Sequence, residues 1–279
     1  TSLLIDILKN EDIESIIHLA GLKSVSESVK NPITYYDNNV NGSLSLVKAM
    51  DEVGVKNLIF SSSATVYGDP KSMPIDESTP KGACTNPYGW SKSMIEEILM
   101  DLSKADSSYK IVILRYFNPV GAHKSGLIGE VPTGIPNNLA PYVARVASGD
   151  LDYVRVYGND YETPDGTGVR DYIHVIDLAR GHVRALEKLD NLSNLEIINL
   201  GTGRGYSVFD MIDAFSKVTG TDIGYEIEDR RSGDVATSYC DPQKAKDILD
   251  WQAQYDLIDM AKDSWNFQKL NPNGYEKEK

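Results

Sequence analysis

The chain has 279 residues, 28 Lys and Arg against 41 Asp and Glu, a net charge of −13, and 41% hydrophobic residues. That charge argues against a general nucleic-acid binder, which needs clustered Lys and Arg for phosphate contacts, and the apolar content excludes a disordered chain. Only Cys84 and Cys240 are present, which excludes a disulfide scaffold or a cysteine zinc site; with no apolar run near the roughly 18 residues of a membrane span and no signal-peptide pattern, the expected compartment is the cytoplasm, without membrane or metal partners.

In chain order, residues 2–9 read as a helix and 15–20 as a short apolar strand ending at Gly21. Such runs suit strands buried on both faces of a parallel sheet. Asn31 and Pro32 open a helix reaching Gly54, with Val40, Leu44, Val47 and Met50 at helical spacing. A strand at 57–63, a proline-rich loop, a helix at 88–105 and a strand at 111–114 follow. The alternation predicts an α/β fold with a doubly wound parallel sheet. Beyond Asn118 the elements shorten. Helices are expected at 138–147, 177–186, 208–218, 242–249 and 259–268, and strands at 152–157, 172–175, 196–200 and 223–227. The pattern divides the chain into residues 1–117, a Rossmann-like domain, and 118–279, a smaller α/β domain.

Tyr88 and Lys92, four apart at a helix start, share a face, and Ser63 ends a preceding strand. In open α/β sheets the ligand crevice lies at those strand ends. A phenol titrates too high to be a good base at neutral pH; a nearby ammonium favours the phenolate, and a serine can orient a substrate hydroxyl and relay its proton. Among 16 tyrosines, about one Tyr-x-x-x-Lys pair arises by chance, so the strand-end serine carries as much weight as the pair. The segment 199–205 imitates a dinucleotide fingerprint, but its G-x-G-x-G spacing is one residue short. Four scattered histidines show no metal-ligand spacing. Read alone, Asp171 and Asp177 are structural, a salt bridge and a helix cap.

Longer words then become legible: His18-Leu19-Ala20-Gly21-Leu22-Lys23, Tyr35-Tyr36-Asp37-Asn38-Asn39-Val40, Ser61-Ser62-Ser63-Ala64-Thr65-Val66-Tyr67-Gly68, Pro87-Tyr88-Gly89-Trp90-Ser91-Lys92, and later LRYFNPVG from Leu114, GIPNNL from Gly134, GNDYETPDGTGVRDYIHVID from Gly158 and RRSGD from Arg230. In these the chain resembles the UDP-glucose 4-epimerases, extended short-chain dehydrogenase/reductases of galactose metabolism. The resemblance implies reversible inversion at C4 of UDP-galactose and UDP-glucose through a 4-keto sugar, with bound NAD. It implies Tyr88 as base, Ser63 as its partner and Lys92 as the amine that tunes it. For the cofactor it implies Leu19, Ala20, Gly21, Leu22, Lys23, Asn38 and Phe117 beside those three. Lys23, a flexible cation, suits a pyrophosphate. For the nucleotide sugar it implies Ser63, Tyr88, Asn118, Asn138, Leu139, Arg155, Val156, Tyr157, Arg170, Tyr172, Arg231, Asp234 and Ser238. Guanidinium groups match diphosphate oxygens bidentately. Ala64 and Thr65 stand where related dehydratases carry acids, which argues against dehydration. The small Ser238 stands where a bulky residue limits the sugar pocket, and implies room for UDP-GlcNAc. The relatives pair through helices matching 35–52 and 88–105, so a homodimer is expected.

The family opens with a strand, a Gly-rich turn and a helix that bind pyrophosphate, then an acid for the adenosine ribose. Aligned by motif order, this chain starts roughly 60 residues into that pattern. The expectation is an N-terminally truncated epimerase, with activity belonging to the full-length chain; the alternatives are a non-catalytic remnant that binds a nucleotide sugar, or another nucleotide-sugar epimerase of the extended short-chain dehydrogenase/reductases.

Overall fold

The apolar run at 111–114 has no polar side to present, and the computed structural model shows why. The structure describes residues 1–132, 134–231 and 233–275. Helix α1 (Ser2–Asn10) leads into strand β1 (Ser15–His18). Three short helical pieces follow: α2 (Val25–Lys30), α3 (Pro32–Tyr35) and, after a π-helical stretch Tyr36–Asn41, α4 (Gly42–Val53). Gly54 closes α4 with φ +79°, a left-handed cap that glycine adopts without steric cost. Then come β2 (Asn57–Ser63), α5 (Pro87–Ala105), β3 (Lys110–Tyr116) and the short β4 (Asn118–Val120). The later elements are α6 (Leu139–Ala147), β5 (Val154–Tyr157), β6 (Val169–His174), α7 (Val175–Lys188), β7 (Leu195–Leu200), β8 (Gly205–Tyr206), α8 (Val208–Thr219), β9 (Tyr225–Glu228), β10 (Thr237–Ser238), α9 (Gln243–Leu249) and α10 (Leu257–Leu270).

Four strands form one parallel sheet in the order β1-β2-β3-β7. Alternate residues of β3 face opposite ways into two apolar layers. Ile111 and Ile113 join Phe60, Ile95, Leu99 and Met50 under α1, α4 and α5. Val112 and Leu114 join Ile198, Leu200, Leu178 and Trp251 under α7 and α9. A strand covered on both faces selects β-branched and aliphatic residues at every position.

The sheet crosses the boundary expected after Phe117. β7, α7 and α9 belong to the second half by sequence, yet they extend this sheet and cover one of its faces. The rest of the second half has its own core, where Val154 and Val156 of β5 pack with Met211, Phe215 and Met260 from α8 and α10. Beside it, β6 pairs in parallel with β4 and β10 and in antiparallel with β8, while β5 pairs with β9. The single helix expected from Pro32 to Gly54 is broken by the π-helical stretch. The strands β4, β8 and β10 are only two or three residues long, too short to leave a period in sequence.

Candidate active site

The carboxyl ends of β2 and β3 converge, with Ser63 in register with Tyr116. Ser63 also caps a following 3-10 turn, where its Oγ accepts from the Thr65 N–H at 3.3 Å. Accepting that bond leaves the serine proton free to be donated elsewhere. Helix α5 starts here because Asn86 Oδ1 accepts the Gly89 N–H at 2.9 Å and Pro87 supplies a preset φ. The first turn therefore holds Tyr88 and the second Lys92. Burial pushes the Tyr88 phenol above its ordinary value, and the Ser63 hydroxyl beside it pulls it back.

Lys92 is buried, with its Nζ donating to the Ser61 carbonyl at 2.6 Å and lying 4.9 Å from the centre of the Phe60 ring. Burial lowers its pKa to about 8, against a weaker opposing pull from Glu96. Glu96 is held in turn by Arg115 at 2.7 and 3.0 Å and by Ser62 at 2.5 Å. The amine turns to a backbone carbonyl, and desolvation dominates at the tyrosine.

The segment after β1 bends toward the same place. Asn39, fully buried in the π-helical stretch, brackets Leu22: its Oδ1 accepts the Leu22 N–H at 2.8 Å and its Nδ2 donates to the Leu22 carbonyl at 3.0 Å. A Cβ added at Gly21 would lie 3.3 Å from Asn39 Oδ1 and 3.8 Å from Lys92 Nζ. Leu19, Ala20, Gly21 and Asn38 are exposed. Phe117 is buried at the end of β3. Lys23 is exposed and pairs with Glu130 at 2.7 Å. His18, at the end of β1, is lowered to about 4 by burial and by Lys92. Its Nε2 meets Ser43 Oγ at 2.8 Å, a structural role.

A cleft of about 640 Å³ opens from Ser63 across the second half. Its wall includes Ser63, Phe117, Asn118, Asn138, Leu139, Arg155, Tyr157, Arg170, Tyr172, Arg231, Asp234 and Ser238. Eleven of the thirteen residues assigned to the nucleotide sugar thus meet on one surface, from six separate segments. Among the described residues the wall omits Tyr88, whose phenol adjoins Ser63, and Val156, whose side chain is fully buried in the second core. Arg170 and Arg231 both pull down the pKa of Tyr172, which burial raises to about 12, so two guanidinium groups converge on one ring. Arg231 also stacks 4.6 Å over Tyr157 and pairs with Asp234 at 3.0 Å.

The loop that imitates a dinucleotide fingerprint wraps a carboxylate of its own chain. Asp171, fully buried between Arg170 and Tyr172 on β6, accepts from the N–H groups of Thr202 at 2.8 Å, Gly203 at 3.0 Å and Cys240 at 3.3 Å, and from the Thr202 hydroxyl at 2.6 Å. A Cβ at Gly201 would come within 2.6 Å of that carboxylate, so the glycine is there for close approach. Asp171 is therefore a hydrogen-bonded hub and not the expected salt bridge. Asp177 does pair with Arg180 at 2.7 Å, but it accepts from the N–H groups of Gln254 and Tyr255, while His174 caps α7. Reading by residue missed Asn39, the hub role of Asp171, and two cleft residues, Thr65 and Tyr161. The last two lie inside quoted words but carry no distinctive spacing.

Residues 1–264 match a family model described as GDP-mannose 4,6 dehydratase. The UDP-glucose 4-epimerase of Pasteurella multocida is 58% identical over 275 residues, 99% of this chain and 81% of that protein. The chain belongs to the UDP-glucose 4-epimerase family. The enzyme of that name from Bacillus subtilis is 56% identical over 96% of this chain and 79% of its own. A solved structure of UDP-glucose 4-epimerase from Bifidobacterium longum, in complex with NAD+ and UDP, superposes with a TM-score of 0.94 at 55% identity, covering 98% of this chain and 82% of that one. The fold class, the doubly wound α/β sheet, agrees with these relatives.

Proposed function

We propose that this chain carries out the reaction of its family, the reversible inversion of C4 in UDP-galactose and UDP-glucose. One observation carries the reading: the strand-end serine and the converging arginines line a single cleft. A diphosphate held by Arg170 and Arg231 at one end leaves the hexose within reach of Ser63 and, through it, Tyr88. As the phenolate, Tyr88 takes the proton of the 4-hydroxyl and, as the phenol, returns it, with the Ser63 hydroxyl between them; burial opposes that phenolate and the Ser63 hydroxyl favours it.

The residues around Lys92 fit NAD. A buried ammonium with one hydrogen bond, to Ser61, keeps N–H donors for a ribose diol. The hollow between Gly21 and Lys92 is narrow enough that a Cβ would fill it. The resemblance assigns Phe117, Asn38 and the segment from Leu19 to Lys23 to the same cofactor. When bound, NAD+ supplies the acceptor that takes hydride from C4 and gives it back on the opposite face. The protein's part is to hold the sugar at Ser63 while leaving the cleft wide enough for the ring to turn.

Ser238 stands in the wall beside Arg170, with which it pairs across β10 and β6. Its small side chain leaves room for an N-acetyl group, so UDP-GlcNAc is a second substrate. The assembly proposed is a homodimer through α4 and α5, where Trp90 and Met94 stand exposed; light scattering at the mass of one chain would contradict it. Among the described residues, no helix is long and apolar enough to cross a membrane. The deciding experiment incubates the protein with NAD+ and UDP-galactose and follows UDP-glucose. Conversion supports the reading; UDP binding without conversion would overturn it.

A further inference from the structure

Among the described residues only two buried side-chain oxygens or nitrogens lack a hydrogen-bond partner, Thr65 Oγ1 and Tyr161 Oη. Both residues line the same cleft. Buried polar groups are nearly always paired, and an orphan costs stability unless something outside the fold completes it. Two orphans confined to one cleft point to a ligand. Thr65 lies two residues from Ser63 and belongs to the hexose end. Tyr161 lies at the other functional end and has no role assigned above.

Tyr161 is 8% exposed. Its backbone N–H donates to the Gly166 carbonyl at 2.9 Å, closing a loop that fixes the ring. The guanidinium of Arg230 lies 4.1 Å over one face, itself held by Asp160 at 2.7 Å. On the other side of that arginine pair, Arg231 stacks on Tyr157, four residues before Tyr161. The phenol is thus held under the Arg230 guanidinium, with an unused O–H. Its partner is an anionic oxygen that arrives with the ligand.

We propose that Tyr161 is a further nucleotide-binding residue, donating its phenolic hydrogen to an oxygen of the ligand's diphosphate. The proposal rests on the nucleotide-sugar reading of the cleft. Tyr161→Phe removes one oxygen and keeps the ring under Arg230. Dissociation constants for UDP and for UDP-glucose, with the thermal midpoint of the free protein, test it. The variant is expected to bind both ligands about three- to tenfold more weakly, by the same factor, in line with one lost hydrogen bond. Its free-state midpoint is expected to stay level or rise, because a buried unpaired hydroxyl has been removed.

Affinities within twofold of wild type would overturn the proposal. So would a lower midpoint, which would mean that the hydroxyl has a partner within the fold. Loss for UDP-glucose with UDP unchanged would move the contact to the hexose and overturn the assignment to the nucleotide. Failure of the wild-type protein to bind either ligand would instead overturn the nucleotide-sugar reading itself, a result distinct from all the others.

Discussion

The two ends of the cleft are built by opposite means. The end proposed for proton transfer rests on regular elements: Ser63 closes a buried strand, and Tyr88 and Lys92 sit on the first turns of a 19-residue helix. Its charges are buried and answer one another, Lys92 against Glu96, and Glu96 against Arg115. The arginine end is drawn from short strands and loops. Arg155 and Arg231 are exposed, and their carboxylate partners Glu228 and Asp234 are on the same surface. A proton-transfer group must be placed within a fraction of an ångström and tuned by desolvation, which rigid buried elements provide. A clamp on a mobile, charged ligand needs reach, and tolerates solvent.

The sharpest way to break this division is Tyr88→Phe. The variant keeps the ring and loses the proton carrier. Turnover of UDP-galactose should fall by about 10²- to 10⁴-fold, the range for general acid–base groups, while the dissociation constant for UDP stays within twofold. Turnover near wild type would remove Tyr88 from the chemistry; a large loss of UDP affinity would show that the two ends are not separable.

Arg170→Met is the mirror experiment. Arg170 Nη1 is braced by the Val169 carbonyl at 2.9 Å, so its fork is preset toward the cleft. A charge-assisted hydrogen bond to phosphate contributes about 1.5–3 kcal/mol. UDP affinity should drop by roughly 10- to 100-fold, with KM rising more than kcat falls. A kcat loss with unchanged UDP affinity would place Arg170 at the chemical end instead.

The same contrast decides what was legible in the sequence. Ser63, Tyr88 and Lys92 could be placed because each lies on an element with a clear period, and a strand followed by a helix start fixes their mutual position. The arginine end was legible only as quoted words. Arg170 on β6 meets Ser238 through β10, a strand of two residues whose pairing no local pattern encodes, and Arg231 comes from the irregular segment before it. Asp171 misled for a related reason. Its partners, Thr202, Gly203 and Cys240, come from two segments at least thirty residues on, so a buried acid read alone suggests an ion pair. The return of β7 to the first sheet is likewise a long-range choice, settled by burial of Ile198 and Leu200 against α7 and not by any boundary signal near Phe117.

Lys92 gives a smaller effect with a definite sign. Its folded pKa of about 8 lies below the ordinary lysine value. Above that value the unfolded chain binds the extra proton, so stability contributed by this group rises with pH and is absent below it. Comparison with Lys92→Met cancels the tyrosines and cysteines that also titrate. Between pH 7 and pH 9 the wild type should gain about 1.4 kcal/mol on the variant in urea unfolding. A flat difference would mean that the buried end is not desolvated as the geometry requires.

The smallest effect sharpens the comparison most, because it touches neither charge nor proton. Ser238 is half-buried in the cleft wall, opposite Arg170 in the β10 and β6 pairing. Ser238→Tyr fills space that a hexose does not need and an N-acetyl group does. Turnover of UDP-GlcNAc should fall at least tenfold relative to UDP-galactose, while UDP affinity and UDP-galactose turnover change by less than threefold, on the scale of one steric clash of about 1.4 kcal/mol. An equal loss for both sugars would mean that the wall moves with the strand it is paired to. The arginine end would then be as rigid as the proton-transfer end, and the division between them would fail where the sugar turns.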